Sequence, residues 1–205
     1  MTDAEIGAAY DARAAEYIAL ASGMAVADVA LITGWRDATP GRLLDAGCGP
    51  GQWTGLLHDG HRDAQGVDLS AEFIAAARRR HPCLAFEIAS FRRLPFPDAS
   101  FGGVLAWYSL IHTPPADLPE VLRELARVLT PGGGLLIGFF DGEAGEPFPH
   151  AVTTAYFWRA DVLASPLEDA GFALTATESR PRLPGEVSSR PHASVTAVRS
   201  RGGVR

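Results

Sequence analysis

Two rhythms of apolar and polar positions alternate along this chain. Short apolar runs that read as buried strands occur at residues 42–47 (RLLDAG), 64–70 (AQGVDLS), 83–89 (CLAFEIA), 101–110 (FGGVLAWYSL) and 133–142 (GGLLIGFFDG). Between them lie stretches with helical spacing, at 51–60, 70–82 and about 116–129. The first of these helices is expected to stop at Gly60, and Ser70 suits the N-cap of the second. Arg78, Arg79 and Arg80 then fall in its last turn, a solvated end that complements the helix dipole. Strand and helix therefore alternate from Arg42 to Phe140. That is the pattern of a parallel sheet covered on both faces.

The flanks differ. Residues 3–20 are Ala-rich with few breakers and read as one helix, with Ala8, Ala12, Ala15 and Ala19 on a common face. A second helix is expected at about 25–36 and a turn at 39–42. After a helix at 160–172, residues 172–180 and 192–200 alternate as two strands, suited to an antiparallel hairpin on the sheet edge. The end from residue 200 is expected to fray. The 205 residues are thus read as one domain, with residues 1–38 as a helical cap and 141–158 as a substrate lid.

Composition narrows the partners. The chain is 47% hydrophobic and 20% charged, ordinary for a globular protein. Its net charge of −6 argues against nucleic acid, which needs a basic surface. Cys48 and Cys83 have no metal-ligand spacing and are too few for a disulfide framework, so no metal is expected. No apolar stretch has the length of a membrane span, and the N-terminus lacks an apolar signal core. The expectation is a cytoplasmic protein, monomer or homodimer, acting on a small molecule.

The chemistry gathers at LLDAGCGPG, residues 43–51. A strand that runs into glycines and then a helix lets a ligand approach the backbone near free N–H donors. The spacing Gly47-x-Gly49-x-Gly51 differs from the dinucleotide fingerprint G-x-G-x-x-G, and a P-loop lysine is excluded because every basic residue is arginine. About twenty residues on, Asp68 ends the second strand, where an acid can accept hydrogen bonds from a ribose diol or simply cap the next helix. Together these features point to an adenosine-like ligand without a triphosphate.

LLDAGCGPG, GVDLS, LPFPDASFGGVLAWYSLIH and LARVLTPGGGLLIGFF, in this order, resemble the class I S-adenosylmethionine-dependent methyltransferases. The small bacterial ones related to ubiquinone/menaquinone C-methyltransferases are nearest in pattern. The resemblance covers roughly residues 10–171 and implies a Rossmann-like doubly wound α/β sheet of seven strands, order 3-2-1-4-5-7-6 with strand 7 antiparallel. It implies S-adenosyl-L-methionine as cofactor and S-adenosyl-L-homocysteine as product. Asp45, Ala46, Gly47, Cys48, Gly49, Gly51 and Trp53 would surround the methionine half, with Cys48 filling a small space. Asp68 would hold the ribose and Leu69 would pack on the adenine, near Ser90 and Phe91. Ala106 and Tyr108 would reach the methionine part, and Tyr10 and Tyr17 would close over the cofactor. The family often has Asp where this chain has Ser90, so weaker anchoring of the adenine amino group is expected here.

Methyl transfer needs an acceptor held in line and water excluded, with a base where the acceptor is a hydroxyl or amine. The loop after the fourth strand reads WYSLIHTPP and offers His112, and next to it Tyr108. His112 is either that base or a residue that orients the following helix. Trp107, His112, His150 and Tyr156 are the candidate acceptor pocket. The aromatic residues of 141–158 are equally compatible with a lid and with a small satellite core. The leading expectation is methyl transfer to O, N or C of a small molecule. The alternative is a cofactor-binding protein with a non-methylating or regulatory role, which an obstructed acceptor pocket would favour.

Overall fold

Strand β1 (Leu43–Ala46) is buried along its whole length. Leu43 packs with Ile32, Trp35, Trp53 and Leu57 on one face of the sheet. Leu44 and Ala46 pack with Val104, Leu122 and Leu125 on the other. A strand covered on both sides has no polar face to show, which is why its sequence reads as a run. The same split recurs in β4 (Phe101–Trp107), where Leu105 and Trp107 face one cluster and Val104 and Ala106 the other.

In this computed structural model residues 2–20, 24–59, 61–182 and 190–201 are described. The expected stop at Gly60, most of the loop between the last two strands and the tail from residue 202 lie outside them. The remaining strands are β2 (Ala64–Asp68), β3 (Ala85–Ile88), β5 (Leu129–Phe140), β6 (Pro147–Pro149), β7 (Thr154–Tyr156), β8 (Phe172–Arg180) and β9 (His192–Arg199). The helices are α1 (Asp3–Asp11), α2 (Ala14–Leu20), α3 (Val26–Ala38), α4 (Gln52–His58), α5 (Ala71–Arg80), α6 (Leu118–Val128) and α7 (Ala160–Asp169). Seven strands form one sheet in the order β3-β2-β1-β4-β5-β9-β8. Strands β1 to β5 pair in parallel, and β9 runs antiparallel to both β5 and β8. Counting only the strands of this sheet, that is 3-2-1-4-5-7-6 with the last antiparallel, as the resemblance implies. The carboxyl ends of β1, β2 and β4 open on one side, at the point where the chain's winding direction reverses.

Three elements depart from the sequence expectation. The single helix over 3–20 is broken into α1 and α2 at Ala12 and Arg13. Contacts on both sides of the break outweigh the Ala-rich propensity. The Asp11 carboxylate accepts from the Ser70 hydroxyl at 2.5 Å and the Glu72 backbone at 3.1 Å, and the Arg13 guanidinium donates to the Ala151 carbonyl. Strand β5 begins at Leu129, earlier than expected, and the Pro131-Gly132 pair produces an irregularity rather than an end. Leu129 pairs with Phe101 and the ladder resumes at Gly134 with Gly103. Residues 147–156 form the β6–β7 hairpin inside the segment expected to be a lid. Helix α5 follows its expected signals: the Phe73 N–H donates to Ser70 Oγ at 3.0 Å, and the three arginines occupy the last turn.

Candidate functional site

The loop after β1 is fastened to the end of β2. The N–H groups of Gly47 and Cys48 both donate to the Val67 carbonyl, at 2.8 and 2.9 Å. The Gly49 N–H donates to one Asp68 carboxylate oxygen at 2.9 Å and the Ser70 N–H to the other at 2.9 Å. Burial raises the Asp68 pKa, and these backbone donors oppose the rise. The glycines are needed for different reasons. Gly47 has φ +84° and a Cβ there would sit 2.2 Å from the Ser109 Cβ, so its neighbour is the protein itself. At Gly49, with φ +52°, a Cβ would meet open space. Of the two, Gly49 is the one with open space at its Cβ position.

A cavity of about 960 Å³ lies over these strand ends. Its wall carries buried polar atoms with no partner in the protein: Gln52 Oε1, Trp107 Nε1 and Ser109 Oγ. Just behind, Asp45 Oδ1 is also unpaired, while Oδ2 accepts from the Thr54 hydroxyl at 2.6 Å. Burial pushes the Asp45 pKa up to about 7, and the nearby Asp68 carboxylate adds to the rise. An unpaired acceptor and two unpaired donors on one cavity wall are the kind of set that the ammonium and carboxylate of an amino acid would satisfy. Unpaired buried polar groups are costly, so such a set marks a site built for a polar ligand. The methionine half of S-adenosylmethionine fits it.

The wall of the same cavity also carries aromatic rings and imidazoles. His112 lies in a short 3-10 turn at Leu110–His112. Its Nδ1 is 2.7 Å from the Thr154 carbonyl, which can only accept, so Nδ1 carries the proton. Its Nε2 then accepts from the Tyr10 hydroxyl at 2.8 Å. Burial lowers the His112 pKa, partly offset by the Thr154 carbonyl, and raises that of Tyr10. His150, its ring centroid 5.2 Å from that of His112, is pushed down to about 4 by burial, with His112, Arg190 and Arg13 adding to the effect. Tyr108 has φ +52° and its hydroxyl is hydrogen-bonded to Nδ1 of His192. A non-glycine residue in that region is uncommon and tends to occur where a side chain must be aimed.

Of the residues expected at the site, Tyr10, Tyr17, Gly47, Gly49, Trp53, Asp68, Leu69, Ser90, Phe91, Trp107, Tyr108, His112 and His150 border the cavity. Asp45, Ala46, Cys48, Gly51, Ala106 and Tyr156 do not. Ala46 and Ala106 point into the core, and Tyr156 packs against that same core. Cys48 fills a small cluster with Ile74, Ala77 and Phe86. Gly51 lies under α5, where a Cβ would come 3.0 Å from the Ala77 Cβ. His112 bonds Tyr10 and the Thr154 carbonyl of β7 rather than orienting the helix that follows. The aromatic residues of 141–158 divide: Phe148 joins Phe140, Ile111 and Ala155 in a satellite core, while His150 borders the cavity. Sequence reasoning missed His192, Phe140, Asp3 and the polar pair Gln52 and Ser109. His192 opens the last alternating strand, and nothing local marks it as part of a site.

Residues 43–133 match the family model of a methyltransferase domain. The chain is 37% identical over 122 residues to a demethylmenaquinone methyltransferase of Beutenbergia cavernae, covering 56% of this chain and 50% of that protein. It spans half the length or less of this and the other leading curated relatives it matches. Among solved structures, the magnesium protoporphyrin IX methyltransferase of Synechocystis PCC 6803 with bound S-adenosylhomocysteine superposes with a TM-score of 0.75 at 18% identity, covering 97% of this chain and all of that one. The [4+2]-cyclase SpnF superposes at 0.79 with 22% identity over 98% of both chains. At these identities the structures establish the fold alone. Residues 43–133 thus carry the likeness to a methyltransferase domain, and the seven-stranded sheet that holds them has the fold of these solved structures. Among the described residues no helix is long and apolar enough to cross a membrane.

Proposed function

We propose that this chain transfers the methyl group of S-adenosylmethionine to a small-molecule acceptor. One observation carries the reading. The glycine loop with Asp68 and the Tyr10–His112 pair line the same cavity. When bound, the cofactor supplies a methyl group already activated by a positively charged sulfur.

Asp68 accepts from the ribose hydroxyls, and Gly49 lets the ligand approach the loop. Gln52, Trp107 and Ser109 complete their hydrogen bonds on the amino acid end. Tyr108, Ile111, Phe140, His150 and His192 wall the acceptor end and suit a planar or apolar molecule. For a hydroxyl acceptor, its proton passes to the Tyr10 oxygen as the Tyr10 proton passes to His112 Nε2. The cofactor would supply the methyl group to the acceptor oxygen so freed, its sulfur leaving as the neutral thioether. His112 suits this because burial keeps it neutral and the Thr154 carbonyl fixes its tautomer. The unpaired thiols of Cys48 and Cys83 support a reducing compartment, the cytoplasm.

Calorimetric titration with S-adenosylmethionine and S-adenosylhomocysteine tests the first half. Both should bind, and Asp68→Ala should weaken both. Mass spectrometry of phenolic, amine and quinone acceptors incubated with the protein and S-adenosylmethionine tests the second, through the mass gain of one methylene. Binding without transfer to any acceptor would favour the non-methylating role.

A further inference from the structure

We propose that Asp3, in the first turn of the N-terminal helix, is the residue that recognises the amino edge of the adenine ring. This rests on the cofactor reading above. Strands β2 and β3 pair in parallel with Asp68 opposite Ile88, so the chain leaves both strands on the same edge, at Leu69 and at Ala89 followed by Ser90. Both border the cavity, together with Phe91, and Asp3 and Ile6 of α1 border it there as well. An adenine ring is flat and apolar on its faces. Its 6-amino group carries two N–H donors and needs an acceptor at the edge of the slot.

Ser90 has little left to offer. Its one hydroxyl proton goes to Asp3 Oδ2, and its oxygen accepts from the Arg92 N–H at 3.0 Å. Arg92 only donates. The Asp3 carboxylate has about four acceptor directions. It uses one for Ser90 and one for Arg92 Nε at 3.3 Å. Among these three side chains the larger free acceptor capacity, and the only charged one, therefore lies on Asp3.

The carboxylate is also held in place. A capping box starts α1, with the Thr2 N–H donating to Glu5 Oε2 at 2.7 Å and the Glu5 N–H to Thr2 Oγ1 at 3.3 Å. Gly7 lies against the Leu69 backbone so closely that a Cβ would be 2.9 Å from its carbonyl oxygen. Asp11 bonds Ser70 and Glu72 at the far end of the helix. Arg92, which orients Asp3, is itself anchored by Asp117 at 2.7 Å. The acceptor for the base edge is thus supplied by α1 rather than by the loop after β3, and α1 becomes part of base recognition.

The test is calorimetric titration of wild type and Asp3→Ala with S-adenosylhomocysteine and S-inosylhomocysteine, in which a 6-oxo group replaces the 6-amino group. Wild type should prefer the adenosyl ligand by about tenfold or more, the size of one charge-assisted hydrogen bond. Asp3→Ala should lose that preference by weakening the adenosyl ligand, with the inosyl ligand within about threefold of its wild-type affinity. Adding Ser90→Asp to Asp3→Ala should restore the preference. A preference unchanged in Asp3→Ala, or both ligands weakened alike, would overturn the role of Asp3, the latter leaving it only the task of seating the cap. Wild type that binds neither ligand would overturn the cofactor reading and this proposal with it.

Discussion

The Tyr10 hydroxyl donates to Nε2 of His112 at 2.8 Å, joining two residues 102 positions apart. The bond ties the helical cap to the loop after β4, and it makes a testable unit. His112→Ala and Tyr10→Phe should each slow methyl transfer to a hydroxyl acceptor by about a hundredfold, within the usual range for acid–base catalysis. The double variant should be little slower than either single one, because residues that act together are not additive. Single-turnover rates measure this, and losses that multiplied would show that the two act separately. Affinity for S-adenosylhomocysteine should change little in His112→Ala.

The pH profile follows from burial. His112 has its pKa lowered below the ordinary 6.5, so its neutral form persists to more acid pH. The rate with a hydroxyl acceptor should stay level as pH falls through 6.5 and decline only below it. A decline beginning above that point would contradict a buried, neutral imidazole.

Asp45 makes stability depend on pH. Its pKa rises from 3.8 to about 7 in the folded protein, so between these values the folded state holds a proton that the unfolded state has lost. Stability therefore falls as pH rises through this window, and the loss is complete above about pH 7. Asp45→Asn should flatten the dependence and raise the melting temperature of the ligand-free protein at pH 8, which thermal unfolding across pH checks.

The two loop glycines should separate stability from binding. Gly49→Ala places a Cβ in open space and costs only the left-handed backbone, roughly 1–2 kcal/mol. Gly47→Ala adds a collision with Ser109 to a similar backbone cost, about 1–3 kcal/mol more. Urea unfolding should rank Gly47→Ala as the less stable. Gly49→Ala should lose more ligand affinity than its stability loss explains.

Tyr108→Phe should raise KM for the acceptor more than it lowers kcat. It removes the bond to His192 but leaves the ring packed at 4.9 Å from Phe140 and 5.4 Å from Trp107. Steady-state kinetics with any accepted substrate distinguishes the two parameters.

The central sheet was legible because β1, β4 and β5 must bury both faces, which leaves an unmistakable run of apolar residues. Asp68 was legible because it ends a strand at a fixed distance from the glycines. The break at Ala12 was not, since its cause is a set of partners at Ser70, Glu72 and Ala151 that no local pattern names. Nor was the Pro131-Gly132 irregularity, where a turn signal is absorbed within one strand. The glycines were visible, but their differing duties depend on Ser109 and Ala77, far along the chain. His192 and Asp3 enter the site from the last strand and the first helix, and only the closed fold brings them to one cavity. Residues at a strand end are announced by the strand, whereas residues delivered by packing are not.

Trp53 and Trp107 meet edge to face at 6.2 Å on the cavity wall, and Trp107 Nε1 has no partner there. They are two of the chain's four indoles. The protein therefore carries its own optical probe of occupancy. A ligand that gives Nε1 an acceptor changes the surroundings of an emitting indole, so filling the cavity can be followed by intrinsic fluorescence without a label or a known acceptor.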